Sequence, residues 1–369
     1  MSQPASLSSR VTLRPLPGSP QVGFPLDVPA PLRAGSQLTL AQWLLYWLSY
    51  LVEPHRARTT VYCYSNIVKN HLIPALGEVR LSELTPSMID GYYQWLSSEK
   101  KLSPNTIYKH HILLHTSLRQ AYRQGAILDN PVRRATPPGT VPGCSHYYTP
   151  KQVAQLLALV EGHPLELPVR LACYLGLRRG EILGLRWRDV DLQSGLIFVR
   201  QVRTTIGHRI VVKQPKTAGS TRTLSIRSLN SLLPMLREML RTRTQRSHFC
   251  GPDDYIVLDS RDQPWHPNSL TTTFTRFAAA CGLPPITLHG LRHTFASMAS
   301  NARVPMYQIS RAMGHSSPTT TQRIYTHLFD LTHGEVLAAV SAAIPAPKAS
   351  KRMLDKVKRR RRHFPGRPG

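Results

Sequence analysis

Acidic residues are scarce in this chain. Its 369 residues hold 20 Asp and Glu against 47 Lys and Arg, a formal net charge of +27. A surplus of that size predicts a polyanionic partner, nucleic acid first among them. An anionic membrane surface, or solubility alone, would not need so many arginines spread through folded segments. Cysteine is also sparse: Cys63, Cys144, Cys173, Cys250 and Cys281 are odd in number, far apart and never in a CxxC pair. That excludes a disulfide framework and a zinc knuckle and fits a reducing cytoplasm. No charged-then-apolar leader opens the chain, and it has no run of about 18 apolar residues to span a bilayer. No cluster of carboxylates suggests a metal. What is present, 41% hydrophobic residues, suffices for two ordinary domains with real cores. The expectation is a cytoplasmic protein with no membrane partner.

Residues 1–36 carry seven prolines from Pro4 to Pro31 among Ser and Gly, and read as a flexible Pro-rich arm. From Leu38 the pattern turns helical: Trp43, Leu44, Trp47, Leu48 and Leu51 form an amphipathic stripe, a core face more readily than a base-stacking platform. Thr59 or Thr60 can cap a second helix bearing Tyr62, Tyr64, Ile67 and His71. Thr85-Pro86 and Ser103-Pro104 each pair a capping hydroxyl with proline at the first helical position. Asn130-Pro131 closes the unit. Residues 37–132 thus read as an all-α domain of four helices. Its scattered bases (Arg56, Arg58, Lys69, Lys100, Lys101, Lys109, Arg119, Arg123) suit phosphate contacts that position rather than specify.

Pro137, Pro138, Gly139, Pro142 and Gly143 make residues 133–148 a linker. Thr149-Pro150 opens a second domain, 149–345. Helices are expected over 150–160 and 166–175, the second broken at Gly176. Strands follow at 195–200, 209–214 and 222–226 in one small antiparallel sheet, then helices at 227–244 and 268–281 and a last one at 333–342. The segment 346–369 reads as a disordered basic tail: from Lys348 on it has ten Lys and Arg against Asp355 alone, which favours non-specific DNA affinity.

Chemistry concentrates between Ile286 and His327. His289 and Arg292 stand three apart and so share a helix face. His315 follows in Gly314-His315-Ser316-Ser317, and Tyr325 lies ten residues beyond it. Such a cluster suggests a phosphate site and calls for a further arginine, supplied by Gly176-Leu177-Arg178-Arg179-Gly180-Glu181. At these residues the chain resembles the tyrosine recombinase, or phage integrase, family. That family carries an Arg in a GLRxGE box, a Lys on a β-hairpin, an HxLRH box, a GHSS box and a terminal Tyr. All five occur here in order, and residues 37–132 resemble the family's SAM-like core-binding domain.

Cutting a phosphodiester without losing its bond energy needs a nucleophile that stays attached. Tyr325 fits, and two guanidiniums can clamp the oxygens that gather charge. The resemblance implies Arg178 and Arg292 for the clamp, His315 on the scissile phosphate, His289 as proton acceptor for the tyrosine and Lys216 as general acid. Glu181, one helical turn past Arg178, would orient the cations. Arg179 rivals Arg178, but the family's Arg follows its Gly by two positions. Lys213 rivals Lys216, which lies in the turn rather than in a strand. Tyr307 lies on the far side of the Gly-His-Ser-Ser box, and His293 and His327 read as packing groups. The two Arg and the Lys supply the charge that Mg²⁺ gives other nucleases, so no metal or cofactor is expected.

The implied architecture is mainly α with a small antiparallel β-sheet, a two-domain DNA clamp. The implied partners are double-stranded DNA attachment sites, with a homotetramer on two duplexes at the nucleoid and accessory DNA-bending or directionality factors. The long arm, residues 71–77 and the basic tail favour a phage or mobile-element integrase over an Xer-type dimer resolver. A type IB topoisomerase and a non-catalytic DNA-binding protein are the readings from other classes.

Overall fold

A computed structural model describes residues 37–141, 146–215, 221–229, 231–245 and 251–314. Lys216, His315, Tyr325, His327, the arm, the helix expected at 333–342 and the basic tail fall outside the described residues. Contacts divide the chain into two units: one is the helical segment up to Cys144 with Arg203–Val212 and His266–Asn268, the other the remainder from Ser145.

The helical unit begins at α1 (Leu40–Tyr46), where Thr39 accepts from the backbone N–H of Gln42 in a capping box. The apolar stripe largely behaves as its spacing predicts: Trp43, Leu44, Trp47 and Leu48 are in the core, while Leu51 packs against it only partly buried. Buried Trp43 donates its indole N–H to Ser117 Oγ at 2.9 Å, so the one polar atom of a large core ring is satisfied. The helix does not stay α. It widens into a π segment at Trp47–Val52. The next helix, α2 (Arg58–Ile67), starts after Ala57 with no side-chain cap. The expectation of a Thr59 or Thr60 cap is therefore corrected, both threonines lying inside the first turn. It too passes into a π segment, Val68–Leu72, before α3 (Ile73–Leu76). Pro74 has no N–H to offer the preceding turn, and a widened turn there absorbs the missing bond. Helices α4 (Pro86–Ser98) and α5 (Pro104–Arg123) begin as expected, on Thr85 and Ser103 with proline in the first turn.

In the second unit Thr149 and Gln152 form the capping box of α6 (Pro150–Leu159). The following helix, α7 (Glu166–Leu175), buries nearly a whole face and ends at Gly176 in the left-handed region, φ +59°. The short helix α8 (Arg179–Ile182) follows. Strands β1 (Val190–Asp191), β2 (Leu196–Val199) and β5 (Arg222–Ser225) make a three-stranded antiparallel sheet in the order β1-β2-β5, with Ile197 opposite Leu224 and Val199 opposite Arg222. Strands β3 (Val202–Ile206) and β4 (Arg209–Lys213) form a separate two-stranded ladder around the Gly207 turn, most of which is counted with the helical unit. The expectation of one sheet of three strands is thus corrected to two ladders. Only two residues separate β2 from β3, too few for the periodicity of either to stand alone.

Helices α9 (Leu232–Gln245), α10 (Pro267–Ala280), α11 (Leu288–Asn301) and α12 (Met306–Met313) complete the unit. The helix expected from 227 begins five residues later. Helix α11 packs on α7, and Thr294 on its buried side receives the backbone N–H of Tyr148 at 3.0 Å. This pins the start of the unit to the helix that carries His289 and Arg292. Among the described residues no helix is long and apolar enough to cross a membrane.

Candidate active site

The sharp turn after α7 builds one side of the site. A left-handed Gly176 reverses the chain, Leu177 drops into the core, and Arg178 takes the N-cap position of α8. Glu181, in the first turn of α8, reaches back to accept the Arg178 backbone N–H at 2.9 Å and its Nη1 at 2.8 Å. A side chain at position 176 would meet Phe295, whose Cδ1 lies 2.6 Å from where a Cβ would stand. Gly176→Ala should therefore cost about 1–3 kcal/mol in denaturant unfolding, from both the left-handed backbone and the ring. It should also displace the Gly176 carbonyl, which accepts from Arg292 Nη1 at 2.5 Å.

The other side comes from α11 and α12. Thr287 caps α11 by accepting from Gly290 N–H, which sets His289 at the helix start and Arg292 one turn on. Arg292 is 1% exposed and also donates Nη2 to the Met313 carbonyl at 2.7 Å. Arg178 reaches the same helix end, with Nη2 on Gly314 O at 3.0 Å. Arg222, on β5, donates Nε to Ala312 O at 2.7 Å. The last carbonyls of a helix have no intrahelical donors and carry its negative end. Here three arginines take that role, and the helix end they hold is the residue before His315.

All three guanidiniums surround one carboxylate. Glu181 is 1% exposed; Arg222 contacts it at 2.9 and 3.2 Å, Arg178 at 2.8 Å and Arg292 at 3.9 Å. Burial by itself pushes the Glu181 carboxyl up, but the hydrogen bonds and charge of Arg222, joined by Arg178, hold it below its ordinary value. The carboxylate is ionised at neutral pH. Three guanidiniums against one carboxylate leave the cluster at net +2.

The histidines beside it are pushed the other way. Crowding by protein lowers His289, with the charges of Arg292 and Arg178 adding to it, although part of the ring meets solvent. His293 packs edge-on to His289 at 4.7 Å between centroids and is lowered to about 4 by burial, then by His289 and Arg292. A neutral imidazole beside a cationic cluster can accept a proton.

Of the residues singled out in the sequence, Arg178, Glu181, His289 and Arg292 come together. Arg179 points elsewhere, its Nη1 on Thr271 Oγ1 at 2.9 Å. Tyr307 is 62% exposed near the start of α12, about 9 Å along the helix from the end that the arginines hold. Lys213 closes β4. Arg222 was visible in the sequence only as a strand residue. Its one signal is a long cation opening a segment of Thr, Leu and Ser that alternates inward and outward. Among the described residues no group of His, Cys, Asp and Glu could hold a metal ion.

Residues 146–331 match the Phage integrase family, and residues 44–136 match the phage integrase SAM-like domain. The chain belongs to the phage integrase family. It is thereby a tyrosine-type recombinase, as the five boxes led one to expect. A tyrosine recombinase XerC-like protein of Caldanaerobacter subterraneus subsp. tengcongensis is 26% identical over 79% of this chain and 80% of its own length. The integrase of Mycobacterium phage L5 is 26% identical over 77% of this chain and 74% of its own. The Tn1549 transposon integrase, solved with transposon right end DNA, shares the fold: TM-score 0.69 at 20% identity, covering 83% of this chain and 99% of that one. The mainly α fold with small antiparallel sheets agrees with this placement.

Proposed function

We propose that this recombinase cuts and rejoins duplex DNA at a specific site through a covalent 3′-phosphotyrosine intermediate on Tyr325, integrating or excising a phage or other mobile element. The observation that carries the reading is the buried cluster of Arg178, Arg222 and Arg292 on Glu181, net +2, beside neutral His289. A phosphodiester entering it brings one negative charge, and attack by a phenolate adds roughly one more, so the cluster is matched to the transition state rather than to the resting DNA. Arg178, its side chain 36% exposed, meets the phosphate first. Arg292 engages it by trading the Met313 carbonyl for a phosphate oxygen, an exchange that DNA binding drives. His289 takes the Tyr325 proton, His315 donates to the phosphate, and Lys216 protonates the departing 5′ hydroxyl. Four protomers on two duplexes complete the exchange, and the helical unit supplies the phosphate contacts that hold each duplex.

Nicked duplexes tiled across the DNA flanking the gene, incubated with the protein and resolved under denaturing conditions, test this. One of them should give a protein–DNA adduct, and the yield should be unchanged with a chelator present. No adduct on any duplex, or one abolished by the chelator, overturns the reading. The XerC-like relative, as similar as the phage integrase, favours a second one, resolution of chromosome or plasmid dimers. Short direct repeats bounding an element around the gene would decide for integration. A type IB topoisomerase would relax supercoils without needing two specific sites.

A further inference from the structure

We infer that Arg222 is a positioning residue of this active site, tying the Glu181 carboxylate to the end of α12 and so setting Arg178 and the approach to His315. The inference rests on the recombinase reading of the same site.

The geometry is that of a brace. Arg222 Nη2 and Nη1 reach both oxygens of Glu181, at 2.9 and 3.2 Å, while its Nε holds Ala312 O at 2.7 Å. One rigid planar group thereby spans β5, α8 and α12, which a lysine could not do. Its side chain is 7% exposed, against 36% for Arg178. Arg222 thus faces the interior supports, and Arg178 faces solvent. The chain bends around it as well. Gly314 has φ +67°, and a Cβ there would stand 2.6 Å from Arg222 Nη1. Glycine takes this left-handed turn without steric cost and lets the residue before His315 lie against the guanidinium.

The consequence is electrostatic as well as steric. Glu181 is shared between Arg178 and Arg222. With Arg222 gone the carboxylate would be left to Arg178 and the more distant Arg292, pairing more fully with Arg178, the arginine that meets DNA, and the Ala312 carbonyl would lose this donor. Binding of DNA elsewhere on the protein would be untouched. Loss of Arg222 therefore strikes the cleavage step more than affinity.

The test measures single-turnover adduct formation at saturating DNA, and DNA affinity, on the reactive nicked duplex from the flanking set. Arg222→Gln should slow adduct formation by ~30-fold or more with affinity changed less than about threefold, and Arg222→Lys should recover part of the loss. The acid limb of the rate–pH profile should also move up in Arg222→Gln, because Glu181 loses a group that holds its carboxyl low. Leu291→Ala, a core truncation in α11, serves as the control for mere destabilisation and should leave that limb in place. Should Arg222→Gln not fold, Arg222→Lys carries the comparison, since it keeps the charge and loses the brace. An unchanged rate, or affinity falling as far as the rate, overturns the inference while the recombinase reading stands. No adduct from the wild-type chain removes both.

Discussion

Tyr325→Phe should abolish the covalent adduct, by at least ~10⁴-fold, with no change in DNA affinity. The substitution removes one oxygen from a ring otherwise unaltered in size and shape, so it takes away the nucleophile and little else. A residual adduct at comparable yield would mean that another phenol attacks, and Tyr307 would be the first to examine. Its hydroxyl accepts from Gln308 Nε2 at 3.0 Å and is exposed, but it sits near the opposite end of α12 from the arginine cluster. Tyr307→Phe should therefore cleave like wild type. The pair of variants assigns the nucleophile from one gel: loss in the first and retention in the second is the outcome expected if Tyr325 attacks.

The parts of this protein legible in its sequence are those fixed by local chemistry. Thr85, Ser103 and Thr149 each sit where a hydroxyl can accept from an orphan N–H, and all three start helices. The Trp43 stripe announced a buried face because a period of 3.6 residues can place it nowhere else. What escaped was set by partners distant in the chain. The π segments at Trp47–Val52 and Val68–Leu72 leave no mark on hydrophobic periodicity. The second ladder was hidden because β3 follows β2 without a turn long enough to announce it. Arg222 lies 41 residues from Glu181 and 90 from Ala312, so nothing in its neighbourhood reveals that it shares a carboxylate with Arg178. His289 and Arg292 stood out by their shared helix face, but it was the resemblance of their boxes to a family that chose Arg178 over Arg179 and gave each residue its role. They meet because a left-handed glycine, Gly176, turns Arg178 toward the helix end that Arg292 holds.

Glu181→Ala should destabilise its unit by about 3–5 kcal/mol, because it removes the counter-charge of buried guanidiniums. Arg292 and Arg222, at 1% and 7% side-chain exposure, cannot turn to water for compensation, whereas Arg178 can. In a unit of this size such a loss lowers the melting temperature by roughly 10 °C. The pH dependence distinguishes this cause from a simple cavity. The Glu181 carboxyl is held below its ordinary value of 4.5, with Arg222 and Arg178 outweighing the upward push of burial. A depressed folded-state value means that the ionised carboxylate stabilises the fold fully above the unfolded-state value. That contribution is lost only as pH falls through the lower, folded one. The gap between wild type and Glu181→Ala should accordingly stay constant from neutral pH down to about 5 and then close in more acid solution. A cavity would leave a gap independent of pH. Cleavage should fall with stability at neutral pH, by at least ~10²-fold, since Arg178 loses the carboxylate that orients both its backbone and its side chain. A Glu181→Ala protein within about 0.5 kcal/mol of wild type would show instead that the helix-end carbonyls alone suffice to hold the three arginines.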